Sequence, residues 1–308
     1  MRGSIDNQSR QIFKLIDGTH TSKFKARNKS EISYLESSKK ISPFIHSFKY
    51  KNDVLNTIKD LGNFARRYHD IKDMQQITDK IIIHFFHAKI ENECTYDTIS
   101  NYISHIRKAL ISLSKMKKNT EKHNKLFTEE SLIISRKFAK TLAIKNEKIN
   151  RAYKNPEKII SLLPKTYSLI AKLQLYYGLR VLEASKIKLS QLDYKKNEFT
   201  FQGKGGYTLT KHLDNYIFNA LDKSIKESVK NNQDGFLIKY DDYVKELKKA
   251  VEICSEIWNG SHGFRYCFAQ KEFQIYIDSG MNKDEAFSKV SHNMGHHRSE
   301  ITGTYIGR

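Results

Sequence analysis

Only three prolines and 14 glycines interrupt the 308 residues of this chain. A many-stranded β fold needs far more of that punctuation, so the chain is expected to be mainly α. Apolar spacing points the same way. Tyr96, Ile99, Tyr102, Ile103, Ile106, Leu110 and Leu113 recur at three- and four-residue steps, which puts them on one face of a long helix. Thr95 stands where its N-cap belongs, and Thr78 does the same ahead of Ile81, Ile82, Phe85 and Phe86. The opposite face of the 95–113 helix is expected to offer His105, Arg107 and Lys108.

The length suits about two domains of ~150 residues. Residues 1–41 are basic and polar, with nine Lys/Arg against four acids in the first 40, and read as a loosely ordered arm that could track phosphates. Residues 42–120 read as a small helical bundle. The polar, lysine-rich stretch near 117–125 marks a boundary, and 121–308 forms the second domain. There, helices are expected near 157–177 and from Arg180 to Leu189. Phe199 and Phe201 alternate into Gly203-Lys204-Gly205-Gly206, followed by Tyr207 and Leu209. That is a β-hairpin signal with Lys204 at the tip. Asp214 and Asp241 are expected to cap two further helices.

Charge narrows the partners. Lys+Arg is 54 against Asp+Glu 34, a formal charge of +20, which favours a polyanion. That polyanion is nucleic acid or an anionic membrane face; no apolar run approaches the ~20 residues that span a bilayer, so an integral membrane protein is excluded, and no membrane is expected among the partners. MRGSIDNQSR lacks the apolar core of a secretory signal. Cys94, Cys254 and Cys267 are far apart and none forms CxxC, which argues against a disulfide framework or a cysteine-based zinc site and fits a reducing cytoplasm. His292, His296 and His297 lack a carboxylate or cysteine at ligand spacing, so no metal is expected.

The C-terminal half holds several groups suited to a phosphate. Arg180 follows LYYGL, Lys204 sits on the hairpin, and His262 and Arg265 lie three apart in SHGFRY, on one helix face. His296 lies in MGHHR, and Tyr305, in ITGTYIGR, comes nine residues after it. Singly, each has an ordinary alternative: Arg180 could pair with Glu183, Lys204 could be solvated, the His/Arg pair could be structural, and Tyr305 could simply pack.

Their order is more telling. The stretches YYGLRVLEASKIKLSQLD, GKGG, HGFRYCFAQ and MGHHRSEITGTYIG resemble the tyrosine recombinases of the phage integrase family, and the likeness extends over roughly residues 42–308. It implies a helical, SAM-like core-binding domain (42–120) and a mainly helical α+β catalytic domain with a small antiparallel hairpin (121–308). It implies a DNA breaking-and-rejoining enzyme working through a 3′-phosphotyrosyl intermediate and a Holliday junction, with no cofactor, metal or ATP. Tyr305 would be the nucleophile, Arg180 and Arg265 would grip the phosphate, and His262 and His296 would donate hydrogen bonds to it. His262 would take the tyrosine proton, and Lys204 would protonate the leaving 5′ oxygen. The implied partners are double-stranded DNA with roughly palindromic sites, a homotetramer on synapsed DNA and an accessory DNA-bending protein, with the protein cytoplasmic at the nucleoid. Two other outcomes stay open on the same constellation: type IB topoisomerase-like relaxation, and a DNA-binding regulator that no longer cuts. The sequence departs from the family at Met294, where leucine is usual, and at Tyr266, where a second histidine often sits.

Overall fold

The computed structural model describes residues 1–34, 37–117, 126–145, 149–203, 207–295 and 299–306. It is built as two compact units, Met1–Glu147 and Lys148–Arg308.

The first unit holds α1 (Ile5–Lys14), α2 (Lys23–Asn28), a two-stranded ribbon of β1 (Ser33–Tyr34) and β2 (Ser37–Lys40), then α3 (Phe48–His69), α4 (Asp79–Glu91), α5 (Tyr96–Lys117) and α6 (Glu129–Leu142). The Ser47 hydroxyl caps α3 by accepting from the Tyr50 amide at 3.3 Å. Arg66, Arg67 and His69 fill its last turn, where cations complement the helix dipole. The Thr95 hydroxyl accepts from the Thr98 amide at 3.4 Å, ahead of α5. Thr78 occupies the N-cap of α4, but its side chain makes no capping bond.

Two expectations change here. Residues 1–41 are not a loose arm throughout: Ile5, Ile12, Phe13 and Ile16 are buried in the core of this unit with Ile58, Ile82, Phe85 and Ile103. A buried isoleucine is worth about 1.5–3 kcal/mol, and these four apolar residues recur at helical steps inside a stretch whose average composition is polar. Gln8 seals the join, donating to the carbonyls of Gly3 at 3.1 Å and Lys72 at 2.8 Å.

The second change concerns α5. His105, Arg107 and Lys108 do not face solvent; they are 8%, 4% and 8% exposed. His105 pairs with the Thr57 hydroxyl at 2.7 Å. Arg107 donates to Glu129 at 2.6 Å and lies 4.8 Å from the Tyr34 ring centroid. The Lys108 ammonium donates to the Ser42 carbonyl, and Ser112 donates to the Ile12 carbonyl at 2.6 Å. The N-terminal segment therefore packs over the polar side of α5, which is buried on both faces. Each buried charge has a partner, as burial demands.

The second unit runs α7 (Pro156–Ser161), α8 (Lys165–Tyr177), α9 (Val181–Ala184), β3 (Lys186–Ile187), β4 (Leu192–Asp193), β5 (Glu198–Gln202), β6 (Thr208–His212), α10 (Asn215–Lys230), β7 (Phe236–Leu237), α11 (Tyr240–Ile253), α12 (His262–Asp278), α13 (Lys283–Asn293) and α14 (Ser299–Ile306). The strands β4, β5 and β6 form an antiparallel sheet in that order, while β3 pairs with β7. The expected hairpin is β5–β6, with Phe199 opposite Lys211 and Phe201 opposite Leu209. The Asp214 carboxylate caps α10, accepting from the Ile217 amide at 2.9 Å.

Three local readings differ. The 157–177 helix is divided, with Pro164 at the start of α8. The helix expected from Arg180 to Leu189 lasts one turn, because Lys186 and Ile187 leave it to pair with Leu237 and Phe236. Asp241 lies in the first turn of α11 rather than at its cap.

Helix α12 is central. Phe264 faces the main core of the unit, while Phe268 and Ala269 pack with Val290 and Met294 from the α13 end. Among the described residues no helix is long and apolar enough to cross a membrane.

Burial lowers the Lys108 ammonium to about 8 from 10.5, with Lys23 and Arg107 nearby adding to the effect. Between those two pH values the unfolded chain holds a proton that the folded chain has released, so this group makes stability rise with pH across the window. Lys108→Met removes that contribution. Urea unfolding of both proteins from pH 7.5 to 9.5 is expected to show the wild type gaining stability relative to the variant. A difference flat in pH would show that Lys108 is solvated.

Candidate active site

Helix α8 stops at Gly178, which takes the left-handed conformation at φ 66°. A side chain there would be strained, and its Cβ would lie 2.5 Å from Phe268 Cε1. The stop turns the chain so that Arg180 opens α9. Its amide donates to Glu183 at 2.7 Å and its guanidinium donates to the same carboxylate at 2.8 Å. The ordinary pairing with Glu183 therefore exists. It also orients the guanidinium, whose side chain stays 20% exposed.

His262 and Arg265 occupy the first turn of α12. Gly263 lets the Tyr153 ring lie against that turn, since a Cβ would meet the ring at 2.4 Å. Ser261, before His262, is buried, and its carbonyl accepts from Gln174 at 3.2 Å. His262 is half-buried.

Arg265 has no solvent exposure and is among the largest fully buried side chains. Its guanidinium donates to the Gly178 carbonyl, and to the Met294 carbonyl at 3.1 Å. It also shares a side-chain hydrogen bond with Tyr305, whose ring centroid lies 5.8 Å from the guanidinium carbon. Burial draws its pKa below the usual arginine value. The neighbouring Arg180 charge pushes the same way, and Tyr305 and Glu183 oppose. Two arginines and a tyrosine hydroxyl thus converge, with a carboxylate beside them.

Tyr305 lies on α14, half-buried. Its carbonyl accepts from Gln270 at 3.0 Å, and Gln270 also donates to Asn150 at 2.8 Å. The Tyr266 ring sits 4.5 Å from the Tyr305 ring at 39°, and Arg151 covers the Tyr266 ring at 5.9 Å. Tyr266 therefore supplies an aromatic wall beside Tyr305.

Of the six expected site residues, Arg180, Arg265 and Tyr305 come together, and His262 heads the same helix turn as Arg265. Lys204 and His296 lie outside the described residues. Their flanks are visible. The Gly203 amide donates to the Tyr207 carbonyl at 2.8 Å, closing the hairpin. Gly295 is left-handed at φ 63°, and a Cβ there would lie 2.5 Å from Leu209 Cδ1. Sequence reasoning did not single out Lys211, Gln270 or Arg151. Lys211 was detectable, because strand alternation from Leu209 places it on the inner side of β6. Gln270 and Arg151 carry no local signal. Among the described residues no three His, Cys, Asp or Glu side chains gather as metal ligands.

Comparison with known proteins bears on this geometry. No curated protein sequence matches the chain. Several solved structures resemble it. The XerH site-specific recombinase bound to difH substrate, in a pre-cleavage complex, aligns with a TM-score of 0.59 at 15% identity, covering 98% of this chain and 91% of that one. The Tn1549 transposon integrase in complex with a circular intermediate DNA gives 0.54 at 10% identity, covering 99% and 95%. A lambda integrase tetramer bound to a Holliday junction gives 0.53 at 14% identity, covering 82% and 73%. At those identities the likeness is one of fold, mainly helical with small antiparallel sheets. The phage integrase family profile matches residues 142–307, more than half of the chain and the whole stretch from Arg180 to Tyr305. On that match the protein belongs to the phage integrase family.

Proposed function

We propose that this protein is a site-specific DNA recombinase that cuts and rejoins strands through a 3′-phosphotyrosyl intermediate. The observation that carries the reading is the hydrogen bond between buried Arg265 and Tyr305, with Arg180 close enough to perturb Arg265 electrostatically. A phenol held against a guanidinium, with a second cation nearby, supports a reading in which it attacks a phosphodiester bound by both.

In the proposed step the Tyr305 oxygen bonds to phosphorus as the bond to the 5′ oxygen breaks. The phenolic proton passes to His262, and Lys204 gives a proton to the leaving 5′ oxygen, which departs as a hydroxyl. Arg180 and Arg265 would hold the non-bridging oxygens and stabilise the charge that grows on them. His296 would add a donor. The phosphotyrosyl bond conserves the energy of the broken strand, so a 5′ hydroxyl from another strand can reverse the step. Repeating this on paired duplexes exchanges strands through a Holliday junction.

The wider reading is a core-binding role for the first unit and catalysis in the second. The substrate would be a roughly palindromic site held by a homotetramer, with an accessory bending protein, at the nucleoid. The surplus charge of +20 supplies sequence-independent affinity for such DNA.

Two measurements test the chemistry. Incubation without metal or nucleotide on nicked suicide duplexes, drawn from the DNA flanking the gene, is expected to give a covalent protein–DNA band on a denaturing gel. Tyr305→Phe should lose the band and keep binding. A band that persists in the variant would remove Tyr305 as nucleophile, and relaxation of plasmids lacking any site would favour the topoisomerase outcome. The two arginines should also separate. Arg180→Ala should slow capture by about 10²- to 10³-fold, the scale of a lost oxyanion donor, with an unchanged melting temperature. Arg265→Ala should lower both rate and melting temperature, because Arg265 also joins three chain segments. Equal effects on stability would contradict the burial difference.

A further inference from the structure

The inner side of β6 carries two residues, Leu209 and Lys211, between exposed Thr208, Thr210 and His212. Both reach the end of α13. Leu209 fills the space over Gly295 that a side chain would need. The Lys211 ammonium donates to the Asn293 carbonyl and lies 5.8 Å from the Phe268 ring centroid. The next carbonyl, Met294, is the one that Arg265 takes at 3.1 Å. Two cations from different elements thus sit on consecutive carbonyls at a helix C-terminus, where the backbone dipole favours positive charge.

These contacts join two segments that the proposed reaction must align. One is the β5–β6 hairpin, whose strand β5 ends two residues before Lys204 in the sequence. The other is the turn after α13, with His296 one residue beyond Gly295. We propose that Lys211 is a positioning residue of the recombination site, its charge clamping β6 to the end of α13 so that hairpin and turn keep one register against Arg265. This rests on the strand-cleaving reading above and deepens it.

The surroundings give the clamp a pH range. Burial, helped by the Arg265 guanidinium, lowers the Lys211 ammonium to about 8, while Glu272 and Glu183 oppose that shift. Glu272 is itself engaged on the same side, accepting from the Asn293 amide group at 3.0 Å. Below about pH 8 the charged clamp is present; above it the ammonium is lost and only a neutral amine faces the carbonyl.

The test uses the full chain with Lys211→Met, which keeps the apolar stem, and Lys211→Arg, which keeps a charge. Amide hydrogen exchange at pH 7 without DNA is expected to speed up in residues 207–212 and 288–295 of the Met variant and to recover in the Arg variant. Covalent capture is then followed from pH 7 to 9.5. The Met variant should be slower at pH 7, by up to about 100-fold for a misplaced group, and the gap should close as pH rises. Mutation and deprotonation remove the same charge and so cannot add. A merely structural lysine would leave a gap constant with pH, and that result overturns the proposal. Unchanged exchange in both segments of the Met variant overturns it too. Faster exchange in a protein that gives no Tyr305-dependent capture would keep the clamp and sink the cleavage reading. Normal capture with unchanged exchange would do the reverse.

Discussion

A guanidinium shut away from water is among the costlier things a fold can contain, and Arg265 is fully buried. It is tolerable only if protein groups replace the lost water. They do so from three distant places in the sequence: the Gly178 carbonyl, the Met294 carbonyl and Tyr305. The end of α8, the end of α13 and helix α14 are therefore held in one arrangement by one side chain. The left-handed Gly178 belongs to the same constraint, because a side chain there would strike Phe268, the neighbour of Arg265 on α12. Folding of this unit and the convergence of Arg180, Arg265 and Tyr305 are one event.

The other elements support that centre from two sides. Tyr153 and Ser261 seat the first turn of α12, with Gln174 of α8 bonded to the Ser261 carbonyl and to the Tyr243 hydroxyl. Phe199 and Phe201 stack at 4.8 Å and anchor the sheet in the main core, so the opposite strand presents Leu209 and Lys211 to α13. Sheet and helices meet at the 293–295 turn, and both contacts there are ones that a one-residue slip of β6 would destroy.

Much of this was legible in the sequence, for physical reasons. Period-3.6 apolar runs such as Ile99 to Leu113 must become a buried helix face, and they do. Phe199, Phe201 and Leu209 flanking a glycine-rich turn must alternate, and they form β5–β6. The motif order from Arg180 to Tyr305 marked Arg180, Arg265 and Tyr305, which lie together among the described residues. Other features were hidden by averaging. A basic 1–41 conceals Ile5, Ile12, Phe13 and Ile16, because composition dilutes four well-spaced apolar residues. His105, Arg107 and Lys108 look solvent-facing by type, yet Thr57, Tyr34 and Ser42, all at least 48 residues earlier, supply partners that pay for their burial. The one-turn α9 could not be read locally either, since the partner that draws Lys186 and Ile187 into a strand is Phe236-Leu237.

Tyr305 is restrained at both its ends. Gln270 holds its backbone carbonyl, Tyr266 lies against its ring, and Arg265 takes its hydroxyl. Little orientational freedom is left for the side chain to surrender when a substrate arrives. The entropy of aiming the hydroxyl is met once, during folding, rather than at every encounter. For the proposed attack this shifts the nucleophile toward intramolecular behaviour, a regime in which effective molarities reach about 10⁵–10⁸ M in well-oriented systems. The Tyr266 ring thus offers Tyr305 something other than a hydrogen-bond donor: an aromatic surface that narrows where the phenol can point.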